Sequence, residues 1–352
     1  MKISSINCFA LAFLLCAACL FSTDIRGAEK EKRYVNLEGK WKFSIGDDKK
    51  WALPDFDDRN WEEIHAPDAW EDQGFYGYNG YGWYRKRFFC PSEIMGKTIT
   101  LHMGYIDDVD EIYINGKLVG SSGLFPPEYR TAYNAYRKYA IPESFLKPNG
   151  DNVIAVKVYD AQLGGGIISG DLGLFASAPM MRPDVVLEGL WKFRIGDRQE
   201  WNDPGYNDKA WGEIIVPSYW ETQGYQDYDG FAWYRKKITI PDYLKDKQLV
   251  LMLGKIDDKD EVYFNGRQIG HTGDLNDPET NDRDYQMFRG YYIPKDLVRI
   301  NRDNVIAVRV YDGYIDGGIY EGPVGITTHE KYSAMWKLQK KKKSFWDLMI
   351  GN

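Results

Sequence analysis

Hydrophobic and polar residues alternate along most of this chain with a period of two, in short runs. Residues 98–103, 153–159, 248–253 and 305–311 are rich in β-branched and aromatic side chains and are bounded by Gly, Pro, Asn or Asp. Such runs read as strands. The stretch 104–120, GYIDDVDEIYINGKLVG, shows the pattern most clearly. An acidic turn leads into a strand that puts Ile112 and Ile114 on one face and Glu111 and Tyr113 on the other. Asn115-Gly116 then supplies two residues that tolerate positive φ, the mark of a tight hairpin. Long stretches with helical period are absent, so the pattern predicts an antiparallel sandwich rather than a doubly wound sheet.

The same stretch is written again at 254–270 as GKIDDKDEVYFNGRQIG, an offset of 150. That offset holds from Trp41-Lys42-Phe43 and Trp191-Lys192-Phe193 through Trp51/Trp201, Trp61/Trp211, Trp70/Trp220, Trp83/Trp233 and Arg85/Arg235. It becomes 152 by Pro142/Pro294, which places a two-residue insertion in the loop after Gly273. A period this long is a duplicated domain, since solenoid repeats run about 20–50 residues. The expected division is a leader at 1–28, module one at 34–178, a linker at 179–186, module two at 187–329 and a basic tail at 330–352. The linker takes its place from the pattern-breaking ASAPMMRP at 176–183. The tail carries Lys340 to Lys343 and reads either as a frayed, solvated terminus or as a basic amphipathic segment against a membrane or partner.

Composition narrows the function. At 352 residues with 43% hydrophobic content, two packed cores are expected. The net charge of −7 is spread along the chain and argues against nucleic acid as a partner. Tyr and Trp outnumber Phe, which suits cores and also surfaces that stack on flat ligands. Lys2 followed by the apolar run 9–20 reads as an export signal, too short for a comfortable membrane span. Cys16-Ala17-Ala18-Cys19 also resembles a bacterial lipoprotein box, which would put a lipid anchor on Cys19. The expected location is the periplasm, the outer membrane through that anchor, or the exterior. Past the leader only Cys90 remains, so no disulfide is expected within the mature chain, and Cys90 reads as a buried apolar residue.

Each copy resembles the sugar-binding domain of the β-galactosidase/β-glucuronidase family of glycoside hydrolases, family two. The resemblance rests on Trp41-Lys42-Phe43, Phe56-Asp57-Asp58-Arg59-Asn60-Trp61, Gly82-Trp83-Tyr84-Arg85-Lys86, Ile112-Tyr113-Ile114-Asn115-Gly116 and Asn152-Val153-Ile154-Ala155-Val156, with the matching runs in copy two. Through Gln223-Gly224 and Asp229-Gly230-Phe231-Ala232-Trp233-Tyr234-Arg235-Lys236, copy two also resembles the equivalent domain of bacterial sialate O-acetylesterases. The resemblance implies an all-β chain of two tandem galactose-binding-like jelly-roll sandwiches that bind carbohydrate. In family two, catalysis belongs to a separate (β/α)₈ barrel, which takes about 250 residues. Two modules leave no room for one, and neither a Gly-Asp-Ser nor a Gly-x-Ser-x-Gly nucleophile motif occurs. None of the four histidines has a histidine counterpart in the other copy. The expectation is therefore a non-catalytic carbohydrate-binding protein. The other readings are an accessory subunit for a glycan-degrading enzyme such as a glycoside hydrolase or sialate O-acetylesterase, and a hydrolase in its own right.

Candidate ligand residues occur in pairs. Trp70 and Trp220 precede short loops and read either as end plugs of the sandwich or as stacking rings. Tyr78 and Tyr228 lie in Gly-rich segments suited to stacking. Arg85 and Arg235 read as ligand forks or as members of internal ion pairs. Asp110 and Asp260 share a face with apolar residues and must be paired there, by Arg85/Arg235, by backbone N–H groups or by a metal. Asp160 and Asp312 end a strand before glycine-rich loops that either permit close approach of a ligand to backbone or merely turn tightly. Asp107 and Asp108, with Asp257 and Asp258, are the oxygen-rich candidates for a structural calcium; no other cofactor is expected.

Overall fold

The computed structural model describes residues 31–179, 181–277 and 283–337. The expected leader with Cys19 and the Lys340–Lys343 run lie outside the described residues. Module one contains β1 (Lys32–Asn36), β2 (Gly39–Ile45), β3 (Glu62–Ala66), β4 (Gly80–Cys90), β5 (Thr98–Asp107), β6 (Val109–Ile114), β7 (Lys117–Ser122), β8 (Tyr136–Ala140), β9 (Gly150–Asp160) and β10 (Gly166–Ser177). They form a four-stranded sheet, β1-β10-β5-β8, and a six-stranded sheet, β3-β2-β4-β9-β6-β7, both antiparallel.

Module two repeats this strand for strand with β11 (Val185–Val186), β12 (Gly189–Ile195), β13 (Gly212–Val216), β14 (Gly230–Thr239), β15 (Leu249–Asp257), β16 (Lys259–Phe264), β17 (Arg267–Thr272), β18 (Phe288–Ile293), β19 (Asp303–Asp312) and β20 (Gly318–Thr328). Its sheets run β11-β20-β15-β18 and β13-β12-β14-β19-β16-β17. Val185–Val186 fell to the linker on sequence grounds, yet it pairs with β20 as an edge strand, because its backbone can close a sheet that is otherwise open there.

Alternation places the core between the sheets. Ile112, Ile114, Val156 and Val158 point inward and are fully buried beside Trp41, Phe43, Trp70 and Tyr84. Asn115 and Gly116 take φ of 51° and 80°, and Asn265 and Gly266 take 49° and 84°, as a tight turn requires. The asparagine does more than turn the chain. Asn115 Nδ2 donates to Asn152 Oδ1 (2.7 Å) and to the Phe145 carbonyl (2.8 Å), while its Oδ1 accepts from the Val153 N–H. Asn265 makes the matching set with Asn304, Leu297 and Val305.

The outer face of each six-stranded sheet carries a second, smaller aromatic cluster: Trp51, Trp61, Trp83 and Tyr113 in module one, and Trp201, Trp211, Trp233 and Tyr263 in module two. Beside these clusters Arg85 lies against the Phe56 ring, and Arg235 against the rings of Tyr206 and Trp211.

One polar network ties the two sheets of each module together. Asp110 on β6 and Arg137 on β8 belong to opposite sheets, and both are fully buried. Arg137 Nε donates to Asp110 Oδ1 at 2.6 Å, and Tyr139 Oη donates to Asp110 Oδ2 at 3.1 Å. The remaining guanidinium N–H groups reach the carbonyls of Ala132, Ala135 and Asp108. In module two Arg289 and Tyr291 hold Asp260 the same way, at 2.7 and 2.5 Å. The Tyr139 ring fits because residue 120 has no side chain: a Cβ there would lie 2.1 Å from Tyr139 Cδ1, and at Gly270 the corresponding distance to Tyr291 is also 2.1 Å.

The two modules pack on each other. Ile215 of β13 is buried in the core cluster of module one, with Leu190 against it. Ser121 Oγ donates to the Thr222 carbonyl (3.3 Å), Gln226 Nε2 donates to the Gly123 carbonyl (2.8 Å), and Arg130 pairs with Asp227. The start of the expected tail is also folded: residues 329–337 are helical, Met335 is buried and the Trp336 ring meets Phe288 at 5.6 Å. Apolar burial on one helix face replaces the fraying expected of that part of the chain.

Two stability outcomes follow. Arg137→Met leaves Asp110 buried with only the Tyr139 hydroxyl and no counter-charge, and the expected loss is about 3–5 kcal/mol in urea unfolding. Gly120→Ala forces the Tyr139 ring off the Asp110 carboxylate, and its overpacking is expected to cost about 1–3 kcal/mol by the same measurement.

Candidate functional site

The candidate residues divide into those consumed by the fold and those that gather at one end of each sandwich. Trp70 and Trp220 are fully buried. Trp70 packs on Phe43 (5.5 Å) and Tyr78 (5.9 Å), and Trp220 packs on Phe193 (5.8 Å) and Tyr228 (5.8 Å). These indoles plug the core and offer a ligand no face. Tyr78 and Tyr228 remain half-buried, each donating its hydroxyl to a carbonyl three residues on, Tyr81 (2.9 Å) and Phe231 (2.7 Å).

Arg85 and Arg235 are structural. Arg85 Nε donates to Asp58 Oδ2 at 2.8 Å and its Nη atoms reach the carbonyls of Trp51 and Phe56. Arg235 Nε meets Asp208 Oδ2 at 2.8 Å, with the carbonyls of Trp201, Asp203 and Tyr206 around it. This arrangement explains the Phe-Asp-Asp-Arg-Asn-Trp run, whose second aspartate is the partner. It also excludes Arg85 and Arg235 from the three kinds of partner offered for Asp110 and Asp260. Arg85 projects from the outer face of the six-stranded sheet while Asp110 projects into the core, so the two cannot meet. The true partners, Arg137 and Arg289, were missed. Their signal was available as Arg-x-Tyr on a short alternating run in both copies, Arg137-Lys138-Tyr139 and Arg289-Gly290-Tyr291.

The acidic residues converge. Carboxylate oxygens of Asp107, Asp108 and Asp160 lie within 4.8 Å of one another, and so do those of Asp257, Asp258 and Asp312. Asp107 ends β5 and Asp160 ends β9, so each triad joins the ends of two strands from facing sheets. Asp160 and Asp312, offered from sequence as ligand residues beside a glycine-rich loop, thus sit against the calcium candidates. Asp108 is well supplied with donors: Thr131 Oγ1 to Oδ1 (2.5 Å), and Tyr129 Oη (2.7 Å) and the Ala161 N–H (3.0 Å) to Oδ2. Asp160 Oδ1 accepts from the Gln162 N–H at 3.2 Å, but Oδ2 is buried without a partner. In module two Asp312 Oδ1 accepts from the Tyr314 N–H at 3.4 Å, and Oδ2 again has no partner.

Crowding shows in the acidities. Burial, then the hydrogen bond and charge of Asp108, push Asp107 up to about 7. Burial also pushes Asp108 upward, but its hydrogen bonds from Thr131, Asp107, Tyr129 and Ala161 outweigh that and hold it below the usual carboxylate range. Burial, with the charges of Asp108 and Glu71 added, raises Asp160 to about 6. In module two burial and neighbouring carboxylates raise Asp257 to about 8 and Asp312 to about 7. Next to them Glu71 and Glu221 accept from the N–H groups of Gly165 (2.9 Å) and Gly317 (3.0 Å) and fasten the glycine-rich loops over the triads. Beyond those loops the chain exposes Leu163 (84%), Tyr314 (76%) and Ile315 (65%).

Residues 46–163 match the family described as the β-galactosidase second all-β domain. A β-galactosidase of Bacteroides ovatus is 25% identical over 186 residues, 49% of this chain and 20% of that protein. A β-glucuronidase of Formosa agariphila is 26% identical over 141 residues, 36% of this chain and 14% of that protein. This chain thus matches a fifth or less of those relatives. A Bacteroides uniformis β-glucuronidase structure aligns over 83% of this chain and 28% of its own, with 18% identity and a TM-score of 0.34. Module one is thus similar, over residues 46–163, to an all-β domain of β-galactosidases, and module two repeats its strand order in full.

Proposed function

We propose that this is an exported, non-catalytic protein whose two modules bind carbohydrate. The observation that carries the reading is the match of residues 46–163 to an all-β domain of β-galactosidases, taken with the repetition of that architecture in module two. The apolar run at 9–20 supports export. A saccharide needs a flat ring for its C–H face and fixed acceptors for its hydroxyls, since a buried unpaired hydroxyl is costly. The loop end of module two offers Tyr314, 76% exposed, whose backbone N–H donates to Asp312 Oδ1. Module one offers Tyr76, 86% exposed, on the loop that follows Glu71. Two modest sites on one rigid chain would raise avidity for a polymer above that for a short oligosaccharide.

Affinity electrophoresis in gels cast with plant and bacterial polysaccharides tests the reading. Retardation by at least one polymer is expected, and Tyr314→Ala is expected to weaken it about ten-fold, the cost of truncating an aromatic anchor. A chain that migrates freely through every polymer overturns the binding reading, and turnover of chromogenic galactosides or glucuronides by the purified chain overturns its non-catalytic part.

A further inference from the structure

Asp160 and Asp312 pose a physical problem that the fold does not solve. Each is fully buried, and each leaves one carboxylate oxygen without a donor. Each also faces two further aspartates with oxygens within 4.8 Å. An ionised carboxylate taken out of water without a counter-charge is strongly unfavourable, and three of them gathered together are more so. No side-chain cation among the described residues forms an ion pair with Asp107, Asp108 or Asp160. The Arg137 guanidinium, which reaches the Asp108 backbone, is committed: Nε to Asp110, Nη1 to the Ala132 and Ala135 carbonyls, and Nη2 to the Asp108 carbonyl. That last bond fixes the backbone of the acidic pair instead of neutralising it, and Arg289 treats Asp258 identically at 2.6 Å.

We propose that each module holds a calcium ion on its acidic triad, Asp107, Asp108 and Asp160 in module one and Asp257, Asp258 and Asp312 in module two. The donors are all hard oxygens, with no histidine or cysteine among them, which selects a hard divalent cation over zinc or copper. Oxygens within 4.8 Å of one another lie within the span of calcium bonds of about 2.3–2.6 Å, and calcium accepts an irregular set where magnesium demands near-ideal octahedral geometry. Three carboxylates leave coordination positions for water or backbone carbonyls, which calcium with its six to eight ligands accepts. The recurrence of the triad is a separate observation. It survives in both copies although the residue beside it changes from Val109 to Lys259 and the loop above it from Gln162-Leu163 to Tyr314-Ile315. The ion would join β5 to β9, and β15 to β19, across the sandwich at the point where the glycine-rich loops leave it. The assignment does not depend on the carbohydrate reading.

The test is calorimetric titration of the full chain, stripped with a chelator, with calcium chloride, alongside melting curves in calcium and in magnesium. Two calcium ions per chain and an upward shift in melting temperature are expected, with magnesium giving a much smaller shift at equal concentration. Asp160→Asn is expected to remove one ion and the Asp160→Asn/Asp312→Asn pair both. The amide keeps the shape and removes an unpartnered charge, so the metal-free double variant is expected to melt no lower than the metal-free parent. Absence of calcium uptake by the parent chain at millimolar concentration overturns the proposal. So does a stoichiometry that the asparagine variants leave unchanged, a metal-free double variant that melts lower than the parent, or an equal response to magnesium.

Discussion

The fold of each module turns on a carboxylate that the hydrophobic pattern should have forbidden. Asp110 stands in a row of inward-facing isoleucines, and what makes it tolerable is a guanidinium and a phenol reaching across from the opposite sheet. A buried pair of this kind contributes little net stability against an apolar substitute, but it is unforgiving of misalignment. Only one stacking of the two sheets brings β8 over β6 with Arg137, Tyr139 and Asp110 in register. The network therefore acts as a registration device. Through the Arg137 bond to the Asp108 carbonyl it also sets the backbone that carries the acidic triad. Packing specificity and the shape of the candidate site are thus consequences of the same contact.

Much of this architecture was legible in the chain because it is local. Alternation located the strands, Asn115-Gly116 and Asn265-Gly266 located the hairpins, and the 150-residue offset made two modules out of one pattern. Side-chain partners were less legible because they are made across sheets. Arg85 was one of the partners open to Asp110, yet the two sit on opposite faces of one sheet, which alternation alone reveals only once the pairing of β4, β9 and β6 is known. The plugging of the sandwich by Trp70 and Trp220 was one of two readings of the same residues, and burial decides between them. The juxtaposition of Asp160 with Asp107 and Asp108 joins positions more than 50 residues apart and needed the strand ends to be placed in space. Val185–Val186 shows the reverse case: two residues are too few for a pattern to register, but a sheet edge can still recruit them.

Of the five pairs of candidate ligand residues, Trp70/Trp220, Arg85/Arg235 and Asp110/Asp260 are absorbed wholly by the scaffold and Tyr78/Tyr228 in part. The Arg85 and Arg235 sites show why a motif can be specific for a fold and silent about activity. Each fastens the segment that carries an aromatic layer on the outer face of the six-stranded sheet, through the carbonyls of Trp51 and Phe56 or of Trp201 and Tyr206, and the Phe-Asp-Asp-Arg-Asn-Trp run is the imprint of that layer. What the scaffold does not use is concentrated at the loop end, where unpartnered carboxylate oxygens, glycine-rich loops and exposed Tyr and Leu side chains coincide.

The contact between the modules joins unlike surfaces. Module one contributes the end of β7 and the loop after it, through Ser121, Gly123 and Arg130. Module two contributes the loop of Thr222, Gln226 and Asp227. By the 150-residue offset the counterparts of the latter are Asp72, Tyr76 and Gly77, and Tyr76 stands open to solvent. The arrangement is therefore polar, head against tail, with no twofold relation between the halves. A gene doubling that began with two equivalent surfaces has ended with one of them spent on holding the pair together, so selection can act on the loop of the first module free of an assembly constraint that its twin must keep.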